Sequence, residues 1–152
     1  MSVITSSRDQ PTRPATRVQA LLILAYSTGA AALAAEGAVH VQEYVTLLHY
    51  VPWVGPLFLA NAAACAATIV GLAFRSTRQL AALGGVVISA LALGGLLLSY
   101  GPGLFGWHEV GFRTSIAVAI IAAVVATIAL TLALAVAAAR PRETIGRSTL
   151  YG

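Results

Sequence analysis

Six side chains in this sequence have the chemistry to hold a metal or move a proton: Glu36, His40, Glu43, His49, His108 and Glu109. The first three stand at i, i+4 and i+7, so at about 100° per residue they share one helical face within about 60°. An imidazole between two carboxylates suits zinc, copper or iron, and a carboxylate orients a ligating histidine through its second ring nitrogen. His49, just ahead of Pro52, and the His108–Glu109 pair would supply the remaining ligands of a three-histidine centre. Haem held by two of these histidines is the poorer match, because a pair on facing helices within the bilayer would suit it better. The competing reading makes the same groups solvated helix ends or hydrogen-bond partners that tie loops together. No nucleophile–base pair, phosphate loop or acid pair is recognisable, so an enzyme in its own right ranks third.

These residues sit in a chain with little else that is polar. Of its 152 residues, 59% are hydrophobic and only 9% charged, and the mean hydropathy is +0.86. A soluble domain carries roughly 25% charged residues, so this chain reads as an integral membrane protein surrounded by the lipid bilayer. The net charge of +4 does not indicate nucleic acid. All nine basic residues are arginines grouped at the ends of apolar runs, as topology signals and anionic headgroup contacts are. Cys65, the single cysteine, excludes an intrachain disulfide and any Cys-x-x-Cys motif.

The apolar runs predict an all-α, antiparallel four-helix transmembrane bundle. Its spans are expected at about 18–39, 54–74, 80–100 and 114–139, between polar tails at 1–17 and 140–152. The first run has a rival reading as a cleaved signal peptide, since Ala32-Leu33-Ala34 has the form of a cleavage site. The uncharged stretch Val18–Ala35 is longer than the usual apolar core of about 7–15 residues, which favours a retained helix. With four spans, the tails and the second-to-third loop share one side and carry every arginine but Arg113. The positive-inside rule makes that side, and both termini, cytoplasmic in a plasma (inner) membrane. All six polar candidates then gather at the outer end, with Tyr44, Tyr50, Trp53, Tyr100 and Trp107 as an aromatic belt. There Glu36 has two readings: a carboxylate at membrane depth points to a functional site, whereas one at the end of its run reaches water.

Small residues at a spacing of four are the expected helix contacts. They are Ser115, Ala119, Ala123, Thr127, Thr131 and Ala135 in the fourth run, Ala63, Ala67 and Gly71 in the second, and Ala81, Gly85 and Ser89 in the third. Asn61, the only amide within a span, is expected to bond across helices.

The segments Gly37-Ala-Val-His40, His49 ahead of Pro52, and Tyr100-Gly-Pro-Gly-Leu-Phe-Gly106 resemble those of small uncharacterised bacterial four-span membrane proteins. The resemblance spans about two-thirds of the chain and implies the fold but no settled activity. The functional expectation is an outward-facing His/Glu cluster that binds a transition metal or assists a redox or metal-handling system. Its alternative is a structural or accessory subunit that packs on other membrane subunits or on copies of itself.

Overall fold

The computed structural model describes residues 14–139. The expected polar tails lie outside the described residues, except for positions 14–17, which the first helix takes in. Four α-helices follow one another: α1 (Pro14–Thr46), α2 (Val54–Ala73), α3 (Arg78–Tyr100) and α4 (Thr114–Ala138). No strand occurs among the described residues. Each helix is long and apolar enough to cross a membrane, and together they form the all-α bundle that the sequence predicts. In lipid the backbone must satisfy its own polar groups, which a continuous helix does.

The helices form a ring. α1 packs most broadly on α4 and then on α2, and α3 packs on both α4 and α2. α2 and α4 lie across a diagonal, with no pair of their Cα atoms within 8 Å. The packed core holds Leu33, Cys65, Leu72, Ala82, Ala126 and Leu130. Leu130 is its keystone: a Cβ added at Gly29 or Gly85 would come within 2.5 Å of its methyl carbons. Two helices therefore approach α4 closely because glycine leaves the slot that Leu130 fills.

Arg78 acts as more than a topology signal. Its Nε donates to Leu72 O at 2.8 Å and its Nη2 to Ala73 O at 3.2 Å. It thereby caps carbonyls at the end of α2, where a cation also suits the helix dipole. Thr77 Oγ1 adds a bond to Gly71 O at 2.8 Å, and the Arg78 guanidinium lies 5.5 Å from the Tyr26 ring centre on α1.

The connectors at the other end are tightly built. Leu48–Tyr50 forms a single 3-10 turn. The Val54 N–H then donates to Pro52 O at 2.8 Å across Trp53, whose φ is +68°. That is a γ-turn, a strained geometry for a bulky residue. In the second connector Leu104 and Trp107 exchange backbone bonds of 2.8 and 2.9 Å. Phe105 and Gly106 between them have φ of +50° and +81°, as a type I′ turn requires.

Candidate functional site

α1 continues unbroken to Thr46, so Glu36 lies about 15 Å before its end at 1.5 Å per residue. Glu36, His40 and Glu43 are 0%, 8% and 7% exposed, which puts the predicted face inward as a set. The bond from Ser89 Oγ to Glu36 Oε2, at 2.7 Å, fixes the depth of Glu36, because Ser89 stands at the midpoint of α3. The Glu36 carboxyl is thus enclosed between α1 and α3, midway along the bundle. Its other oxygen, Oε1, is buried and has no hydrogen-bond partner.

One turn farther along, His40 Nδ1 lies 2.8 Å from Glu36 O. A carbonyl only accepts, so Nδ1 carries the proton and Nε2 of the neutral ring is left as an acceptor. The ring packs on Phe58 of α2 at 4.8 Å between centroids. Glu43 meets Arg113 next: Nη1 stands 2.9 Å from Glu43 Oε2, a contact of charge rather than an aligned hydrogen bond. Arg113 Nη2 donates to Glu109 Oε1 at 3.0 Å. One guanidinium at the start of α4 thus joins the end of α1 to the connector that precedes α4. Glu109 is also held by its backbone N–H, which donates to Ser99 O at 3.0 Å.

The other two histidines stand apart from this chain of contacts. His49 is exposed, with Nδ1 3.2 Å from Tyr44 O and its ring 3.6 Å from that of Tyr50. His108 is exposed and packs over Gly103, where a Cβ would come within 2.7 Å of its Nε2. Among the described residues no group of three or more His, Cys, Asp or Glu side chains is placed to hold a metal ion. Glu36, His40, Glu43 and Glu109 line up along the inner face and its mouth, and His49 and His108 turn elsewhere.

Of these groups, His40, Glu43 and Glu109 border a cavity of about 570 Å³ between the helices. Its walls are mostly apolar, contributed by α2, α3 and α4. His40, Glu43, Glu109 and Arg113 form a polar end, and Asn61 a polar point along one wall. Asn61 does not bond across helices as expected. Its Oδ1 accepts from Cys65 Sγ at 3.3 Å, one turn along α2. On α3 the wall includes Gly94, where an added Cβ would meet nothing within 4 Å. Leu57, Leu91 and Leu98 also line the space while remaining 45%, 69% and 48% exposed, so it opens between α2 and α3 among lipid-facing side chains.

Ser89 and Arg113 are the site residues that composition alone did not single out. Ser89 was legible only as a small residue in a stripe, and Arg113 only as the one arginine away from the rest. No family model, curated protein or solved structure matches this chain.

Proposed function

We propose that this protein is a binding protein of the plasma membrane, taking a lipid-soluble molecule with an apolar body and a polar head from the bilayer. One observation carries the reading: an apolar cavity that opens among lipid-facing leucines and ends on His40, Glu43, Glu109 and Arg113. Binding pockets of about 300–1,000 Å³ with a few convergent polar groups are the usual form of small-molecule sites. The cluster's proposed service to a redox system would then run through such a ligand. On the positive-inside rule the polar end faces outward.

Trp107 lines the cavity, whereas Trp53 is 73% exposed at its connector. In a Trp53→Phe protein, a long-chain alcohol brominated beside its hydroxyl is expected to quench Trp107 emission saturably. Gly94 lines the cavity and an added Cβ there meets no atom within 4 Å, so Gly94→Leu adds bulk at the wall and is expected to remove that quenching. Equal, non-saturable quenching in both proteins would mean that the probe reports only micelle partitioning, and the reading would fall.

The accessory-subunit reading keeps one observation in its favour. Ala63 and Ala67 of the small-residue stripe on α2 face out of the bundle, where a neighbouring helix would approach closely. Cross-linking from an Ala67→Cys variant with Cys65 replaced would trap that neighbour, and a purely monomeric product would count against it.

A further inference from the structure

We infer that the cavity selects a lipophilic amine carrying one positive charge, held by an N–H donated to His40 Nε2. The inference rests on the cavity reading above and names the class of molecule it takes.

The charges on the cavity wall come first. Glu43 and Glu109 bring two carboxylates and Arg113 one guanidinium, leaving a formal charge of minus one. The two carboxylate side chains are only 9% and 10% exposed, so water screens that excess poorly. Buried charge is stable when paired, and an occupant with one positive charge pairs it. An anionic head, such as a carboxylate or phosphate, would meet two carboxylates with the only guanidinium already engaged by both.

The second observation is independent of charge. His40 is more than nine-tenths buried and borders the cavity. Its Nδ1 proton is committed to Glu36 O at 2.8 Å, so in the neutral ring the vacant Nε2 accepts and does not donate. The head group must therefore bring a donor. The rings of Phe58 and Trp107 border the same space, and aromatic faces attract a cation. The apolar chain would run along the bare backbone at Gly94 and Gly95 toward the opening beside Leu91.

Four competitors of equal chain length separate these contributions, each displacing the brominated alcohol from the Trp53→Phe protein at neutral pH. They are a dimethylalkylamine (charge and N–H), a trimethylalkylammonium (charge, no N–H), the alkanol (no charge) and the alkanoate (opposite charge). The tertiary amine is expected to bind tightest. The quaternary ammonium should follow on the order of tenfold weaker, the size of one hydrogen bond involving a charged group. The alkanoate should come last. Alkanol or alkanoate displacing as well as the amine would overturn the inference while leaving the cavity reading intact. Failure of all four to restore emission, with Gly94→Leu still quenched, would remove the cavity reading itself.

His40→Phe preserves a ring against Phe58, and it should lower amine affinity to the level of the quaternary ion without changing the latter. An equal loss for both would show that His40 only shapes the wall, and the hydrogen-bond assignment would fall. Glu109→Gln keeps an acceptor for Arg113 but cancels the excess charge, so it should erase the preference for amine over alkanol. A preference that survives it would sink the charge assignment.

Discussion

A carboxyl group enclosed midway along a bundle of apolar helices has few ways to be stable, since a buried polar atom left without a partner costs about 1–3 kcal/mol. Glu36 has Ser89 on one oxygen and nothing on the other. Ser89→Ala is therefore expected to lower stability by about 1–3 kcal/mol, the cost of stranding a buried polar atom. Thermal unfolding in detergent measures it. The Glu36→Leu/Ser89→Ala double variant should recover most of that loss, because replacing both partners with apolar groups is nearly neutral. Simple additivity of the two single effects would show that the bond contributes nothing as a pair. At this scale the face carrying Glu36, His40 and Glu43 was readable, because helical period alone sets it. Their partners were not. Nothing in the α3 sequence separates Ser89, which crosses to α1, from Ser99, whose hydroxyl bonds Leu96 O at 2.7 Å within its own helix. Only the rotation of α3 against α1 decides that.

Elements pack by faces, and the expected face of α4 proves to be the wrong row. A strict spacing of four drifts by about 40° per step on a helix of 3.6 residues per turn. The stripe from Ser115 to Ala135 consequently winds off the contact, and Thr131 and Ala135 end exposed. The row that stays inward is Ile116, Ala119, Ala123, Ala126, Leu130 and Ala133, whose alternating steps of three and four keep it facing its neighbours. On α3 the short stripe Ala81, Gly85 and Ser89 does face inward, because two steps accumulate little drift. Leu130, on the corrected row, fills the slot left by Gly29 and Gly85. Leu130→Ala should cost about 2–5 kcal/mol, the range for an aliphatic side chain removed from a packed core. A loss under about 1 kcal/mol in detergent unfolding would mean that the slot collapses freely and the row is not the bundle's main contact.

Across the whole molecule, packing divides the bundle into two halves. One half, toward the α2–α3 turn, is closed around Leu72 and Ala82 and capped by Arg78. The other surrounds the cavity, and at its rim Arg113 joins Glu43 and Glu109. The overall fold was legible because four long apolar runs leave a chain few alternatives. The cavity was not, because it arises from where α2 and α3 diverge, which no run of residues encodes locally. The charge pattern predicts which half meets which side of the membrane: Arg75 and Arg78 flank the closed end, and the positive-inside rule would place that end at the cytoplasm. Tyr50 and Val110, 82% and 86% exposed on the two connectors, should as cysteines react with an impermeant maleimide added to intact cells. The background for both is Cys65→Ala. Ser76, exposed in the α2–α3 turn, should as a cysteine react only after the cells are permeabilised. The reverse pattern would turn the polar end of the cavity toward the cytoplasm, and the occupant would then be drawn from the inner leaflet. Labelling of Tyr50→Cys and Val110→Cys from opposite sides would separate Glu43 from Arg113 and leave the rim without its fastening.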